Sequence, residues 1–498
     1  MDSKDQCAAL PAVHPGLQLS PTNDARLLIL SFSDEACHPA DPLCMPFKWK
    51  AWMTFFAAVL VMGTALSSSA PSGAAPFIQA DLGGNSALPL TLFLLGYVAG
   101  PFVGAPLSEA YGRRPVFVYG GFLFLVFTAG CAGAQSLNAL LALRFLAGFF
   151  GSVPTTNSGA VCGDIWTARA RGQAMAAFSV ATFSGPALGP VVGSFSAVRL
   201  SWRWCFIILT CFQAVTFFLS IFACPETYAP VILSKLAREL RESTGDSRIV
   251  SRLQAEEMAS RDTPKLERLR SELRRILVTP LVMIGSESIV GFTTAYMSMV
   301  YGLIYLLFEA YPIIFGDVHG LAPGYSSLPF IATLVGAVVS VPLSLWFQKD
   351  YLSRVTRAGK PTPEMRLPPA QVGGLLTVVS FLWLGWSGYK RSTPWIVPTL
   401  SGVPQGVASV LIFRSLQAYL LDTYERFGAS ALAANVVARS VCGAVYPLFA
   451  GPMFRALGVQ WACTLLAGVM LLLCPVPWVF ERYGARIRQN SRFAPGRH

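Results

Sequence analysis

From about residue 50 to residue 480 the chain alternates long apolar runs with short polar breaks. Each run suits a helix of about 20 residues, the length that crosses a bilayer's hydrocarbon core. Twelve such runs fall near 51–71, 86–106, 115–134, 137–160, 173–196, 204–224, 288–312, 324–347, 370–389, 394–417, 429–453 and 460–480. GAPLSEAYGRRP at 104–115 is a polar hairpin between the second and third runs. Pro115 suits a helix start, where its missing N–H costs no hydrogen bond. The pattern predicts an all-α integral membrane protein of twelve transmembrane helices in two six-helix bundles. A longer polar stretch at 225–284 makes that division, with bundles at 51–224 and 285–480 and tails at 1–50 and 481–498.

Composition and charge sharpen this picture. The 498 residues are 53% hydrophobic and 13% charged, whereas soluble domains carry about 25% charged residues. Of the 38 Lys and Arg, thirty fall in alternate connections and five in the intervening ones. That bias predicts a cytoplasmic location for both termini, the hairpin and the central loop. It also accounts for the net charge of +12 without a nucleic-acid partner, because the basic residues are spread over every inner connection and not gathered on one face. The one short apolar run of the first 50 residues, ARLLILSF at 25–32, is too short to span. The first span is therefore expected to serve as an uncleaved anchor. In the central loop, Leu233, Leu236, Leu240 and then Leu266, Leu269, Leu273 recur at helical intervals. They predict surface helices in a tether, with a regulatory platform as the alternative. Eleven cysteines show no CxxC pair and no metal spacing. Cys131, Cys162, Cys211, Cys442 and Cys474 sit within spans and read as small apolar packing residues.

The halves echo each other. LAGFFGSVPTTN at 146–157 in the fourth span parallels LSGVPQGVASVL at 400–411 in the tenth. GPALGPVVG at 185–193 in the fifth parallels GAVYPLFAGP at 443–452 in the eleventh. Two six-helix repeats with interrupted helices facing each other are the layout of a secondary transporter with its site at the midplane.

No P-loop, HExxH or GxSxG motif occurs, and the four His stand apart at 14, 38, 319 and 498. The chain therefore reads as neither an ATP-driven pump nor an enzyme, and as needing no metal or cofactor. Charges inside spans are costly and mark functional candidates. Arg144 stands about two turns into the fourth span, with snorkelling to the interface as its alternative. Arg439 in the eleventh follows Asn435 by four residues, so the two share a face. Glu309 lies toward the outer part of the seventh, where a desolvated carboxyl would exchange protons and one among headgroups would simply be solvated. Arg414 is deep in the tenth, eight residues before a candidate partner, Asp422. Glu287 and Asp164 stand at inner span ends, where solvation at the interface is expected. Gly185, Gly189 and Gly193 make one flat ridge on the fifth span, and Pro186 and Pro190 remove two ladder hydrogen bonds beside it.

These motifs together resemble the major facilitator superfamily, in particular its fungal branch of twelve-span drug:proton antiporters. PLSEAYGRRP at 106–115 is similar to the signature of the loop between spans two and three, and LRFLAGFFGSVPTTN at 143–157 to the fourth-span motif. GPALGPVVG resembles the antiporter motif; PETY at 225–228, EMRLPPAQVGG at 364–374, ASALAANVVARS at 429–440 and RFAP at 492–495 are similar to further marks of the branch. Ala105, Ala110 and Ser194 depart from the usual residues, and Arg414 is a charge the branch does not lead one to expect.

The resemblance implies that Arg144 takes part in proton coupling. It implies that Glu109, Gly112, Arg113 and Arg114 form a gating hairpin, with Glu109 favouring a helix N-terminus of the second half in the outward state. The fifth-span glycines and prolines would hinder leak and favour exchange. The expected protein is a monomer in the plasma membrane, with the vacuolar membrane as the alternative. It would use the proton gradient as its energy source to export a drug, toxin or secondary metabolite. A proton-symport uptake permease of the same fold and a transport-dead receptor or scaffold are the competing readings.

Overall fold

Twelve long helices dominate the computed structural model, which describes residues 16–21, 27–33, 36–259, 274, 278–424, 427–489 and 491–493. Numbered in chain order, they are α1 Phe47–Leu82, α2 Leu88–Tyr111, α3 Arg113–Ala132, α4 Leu137–Ile165, α5 Ala168–Arg199 and α6 Trp202–Phe222, then α7 Ser288–Tyr311, α8 Phe330–Ala358, α9 Pro368–Gly388, α10 Gly402–Thr423, α11 Gly428–Leu457 and α12 Val459–Leu473. Eleven of these regions are long and apolar enough to cross a membrane. The fifth, α5, is rich in Gly, Pro and Ser and carries the apolar run at 173–196. It lies packed between α1 and α8, so neighbouring helices cover much of its length.

Equivalent helices pack alike in the two halves. In the first half α1 lies on α5, α2 on α4 and α3 on α6; in the second α7 lies on α11, α8 on α10 and α9 on α12. The echo between spans four and ten, and between five and eleven, thus has a counterpart in three dimensions.

Several helices outrun the apolar runs that announced them. The first was expected at 51–71, yet α1 continues through Pro71 and Pro76 to Leu82. A proline within a helix orphans the carbonyl four residues earlier. For Pro71 that group is the Ser67 carbonyl, and it accepts a hydrogen bond from Arg144 Nη1 at 2.9 Å. A partner from another helix thus repairs the break that the sequence pattern took for an end.

The tail and the central loop, separate in the sequence reading, share a small sheet. Strand β1 (Leu17–Pro21) pairs antiparallel with β2 (Leu28–Phe32), which pairs parallel with β3 (Ile249–Ser251) of the loop. Leu28, Leu30 and Ile249 pack against Ala237, Leu233, Leu236 and Leu240 on the helix Ala229–Thr244. The run at 25–32, too short to span, is therefore largely a strand. Leu266, Leu269 and Leu273 lie outside the described residues. Just before α1, a disulfide joins Cys37 to Cys44 with Cα atoms 5.8 Å apart. Six residues separate these two cysteines, and neither lies in a span.

Candidate functional site

The two halves meet along a seam that is polar at its centre. Arg144, on α4, is 1% exposed, which excludes snorkelling. Its donors go to backbone carbonyls: Nε to Pro89 at 3.0 Å, Nη1 to Ser67 at 2.9 Å and Nη2 to Ser68 at 3.2 Å. The guanidinium also lies 4.2 Å from the ring centroid of Phe93, a cation–π contact. Among the described residues no carboxylate pairs with it. One side chain therefore ties α4 to α1 and α2.

Ser68 carries the connection across the seam, its Oγ 2.7 Å from the Tyr305 hydroxyl on α7. Tyr301, one turn earlier, donates to the Tyr305 hydroxyl at 3.2 Å. Beyond them lies Arg439 of α11, its guanidinium 5.2 Å from the Tyr301 ring and 5.4 Å from the Phe413 ring. Phe183 of α5 closes edge-on against Phe413 with centroids 5.4 Å apart. Asn435 is buried one turn from Arg439, its Nδ2 3.2 Å from Met297 Sδ. Asn435 Oδ1 and Arg439 Nε are buried without hydrogen-bond partners. Each half thus places an arginine against aromatic rings near the seam.

The hairpin is held by a residue to which the sequence reading gave no role. The Glu226 carboxylate accepts from the backbone N–H of Arg113 at 2.9 Å and of Arg114 at 3.1 Å. These are the first amides of α3, where a helix favours an anion. Arg113 in turn donates from Nε to Asp164 at 3.0 Å and from Nη1 to Ser108 at 2.8 Å, and it covers the Tyr228 ring at 4.6 Å. Gly112 makes the turn at φ +98°, and a Cβ there would strike the Glu226 carboxylate. Glu109 is exposed beside Tyr228. Burial chiefly, then the Glu109 charge, raises the Tyr228 phenol above its ordinary value. PETY, at 225–228, was legible as a motif, but the reach of Glu226 back to residue 113 was not.

The second half repeats this clamp, and between them the two halves correct three expectations. Arg366 donates to Asp422 at 2.9 Å and covers the Tyr351 ring at 3.8 Å. Asp422, weighed as the partner of Arg414, is therefore engaged by another arginine. Arg414 instead lines a cavity with Arg366, Tyr351, Asp350 and Gln348. Asp164 belongs to its clamp and is not simply solvated at the interface. Glu287 is likewise buried, accepting from the Tyr424 hydroxyl and the Arg492 N–H at 3.0 Å each.

On α5 the glycine ridge faces α1, where Cβ atoms at 185, 189 and 193 would strike backbone or side chains from Met62 to Ala74. Pro186 instead faces the seam, where it lines a small cavity with Phe183, Ile304, Phe308 and Gln405. Pro190 is buried within the same stretch. Glu309 stands apart from the central arginines, half-buried on α7 with Arg455 as its charged neighbour.

Twelve helices in two matching halves, a polar seam between them and a charged clamp on each half define a secondary membrane transporter. The pattern of the Major Facilitator Superfamily matches residues 55–397. The chain belongs to that superfamily and is a multi-pass membrane transporter, not an enzyme. It is 39% identical to the multidrug transporter mdrA of Aspergillus fumigatus, covering 90% of this chain and 72% of that protein. It is 37% identical to the efflux pump FUBT of Fusarium oxysporum, over 90% and 75% of the two chains. It is 38% identical to the multidrug transporter TPO1_1 of Candida glabrata, over 82% and 70%. A crystal structure of a POT peptide transporter superposes with a TM-score of 0.61 over 91% of this chain and 96% of its own, at 14% identity. That likeness bears on the fold.

Proposed function

We propose that this transporter exports a small organic molecule, a drug, toxin or secondary metabolite, across the plasma membrane in exchange for protons. The observation that carries the reading is the buried Arg144, joined through the Ser68 carbonyl and hydroxyl to Tyr305 of the opposite half. A buried charge is costly unless its partners persist. Parting the halves breaks the Ser68–Tyr305 bond, so the energetics at Arg144 are coupled to which side the seam opens. A ligand or proton shifts such an equilibrium only through unequal affinity for the two states. The kinship with multidrug transporters and efflux pumps supports the direction of transport and the substrate class.

The excess of Lys and Arg on alternate connections supports placing both termini and the hairpin in the cytoplasm. Ties between the halves run from the midplane toward the opposite end: Thr91 Oγ1 donates to the Ala444 carbonyl at 2.8 Å, and Phe195 meets Tyr325 with centroids 5.7 Å apart. That end, on this reading, is the outer gate in its closed position. No cofactor is called for, and Glu309, half-buried on α7 beside Arg455, is one candidate to carry the proton.

Purified protein in liposomes tests the reading. An imposed pH gradient should drive accumulation of a transported dye or drug, and collapsing the gradient should abolish it. Arg144→Lys keeps the charge but loses the planar fork, so flux should fall about tenfold or more with insertion intact. Transport indifferent to the gradient would overturn proton exchange, and unchanged flux in the variant would remove Arg144 from the coupling.

A further inference from the structure

The cavity beside Pro186 contains two polar side chains with buried atoms that lack hydrogen-bond partners, Gln405 and Thr333. Gln405, in the first turns of α10, is 1% exposed, and neither its Oε1 nor its Nε2 has a hydrogen-bond partner. It lines the cavity with Phe183, Pro186 and Ala187 of α5, Ile304, Leu307 and Phe308 of α7, and Phe330 and Thr333 of α8. The walls are mostly apolar, with three phenylalanine rings among them, and they come from both halves of the molecule. A buried amide that makes no hydrogen bond costs stability at both its donor and its acceptor. With the seam closed the free space beside it is about 10 Å³, at the lower limit for a single water, so a ligand reaches it only as the halves part.

We infer that Gln405 is a specificity-determining residue for the exported molecule, pairing with a neighbouring hydrogen-bond donor and acceptor on an apolar, ring-bearing frame. This rests on the exporter reading above and adds the substrate chemistry. A side-chain amide presents its carbonyl and NH2 together, so its best complement is a group with the same juxtaposition: a lactam or an imide, whose ring holds N–H and C=O on one side. Phe183, Phe308 and Phe330 supply the faces on which a flat ring system packs. A site built to hydrogen-bond a ligand rejects the analogue lacking that group far more strongly than an apolar pocket rejects a missing methylene. Because α5 belongs to one half and α7, α8 and α10 to the other, a molecule held here touches both halves. It would therefore bind the closed and open seams unequally, as coupling requires.

The test uses the full chain in nanodiscs and in proteoliposomes, with three rigid probes: 2-quinolinone, phthalimide and glutethimide, each compared with its N-methyl derivative. Binding is read from tryptophan fluorescence, and flux from accumulation under a pH gradient. The wild type should prefer the N–H member of at least one pair tenfold or more, and Gln405→Leu should reduce that preference below threefold. The variant should also melt at a higher temperature, since it removes an unpaired buried amide. If Gln405→Leu does not fold, Gln405→Met takes its place at equal length. A preference retained in the variant, a wild type without preference, or no binding at all overturns the inference. Selective binding without gradient-driven flux overturns the exporter reading and leaves the recognition standing.

Discussion

At the scale of single residues, the carboxylate that organises the hairpin is Glu226. Its four backbone contacts, to Arg113, Arg114, Thr227 and Tyr228, fix where α6 ends and α3 begins. Replacing it with Ala leaves those amides without that acceptor, each worth roughly 1 kcal/mol. Glu226→Ala should therefore lower the melting temperature and slow transport, whereas Glu109→Gln should slow transport with little thermal effect, because Glu109 is exposed. Thermal melts beside flux assays separate the two, and equal destabilisation would merge their roles. Residue types were readable in the sequence, and the cost of burying charge singled out Arg144 and Arg439. Their partners were not readable, because Ser67, Ser68, Tyr301 and Phe413 come from other helices and carry no local mark. Gln405 was passed over for the same reason: a Gln in a Gly-rich run is unremarkable until its surroundings prove apolar.

At the scale of elements, helix existence was easier to read than helix extent. Apolar periodicity located all twelve long helices, but prolines hid the last turns of α1, since only Arg144 shows that the Ser67 carbonyl is provided for. The strand at 28–32 was invisible for a related reason, its parallel partner lying far along the chain at 249–251. The glycine ridge of α5 was visible as spacing, and the structure supplies what it packs against. A Cβ at Gly189 would collide with Ser69 and the Ala70 amide, and one at Gly193 with the Ala70 carbonyl. Gly189→Leu should push α5 off α1 and cost about 1–3 kcal/mol by overpacking. The expected result is lower expression of folded protein and a raised proton leak in liposomes. Gly163, where an added Cβ meets nothing within 4 Å, is the matched control. An equal effect at the two positions would deny the ridge its role in the packing.

At the scale of the whole molecule, transport requires the halves to part at the end opposite the hairpin. Thr91 and Ala444 mark that closure, one on each half and directly bonded. Packed interfaces of this kind behave as two-state elements, so holding one contact shut holds the whole gate. Thr91→Cys with Ala444→Cys, in a background where the exposed Cys211 is replaced, can be joined by a short thiol-reactive cross-linker. Cross-linking should abolish flux, and a reducing agent should restore it. Substrate binding from the hairpin side should survive, because the cross-link leaves that end free to open. Each single-cysteine variant should keep its flux under the same reagent. Flux that persists through a completed cross-link would mean that this end does not open during transport, and alternating access about this seam would then be wrong.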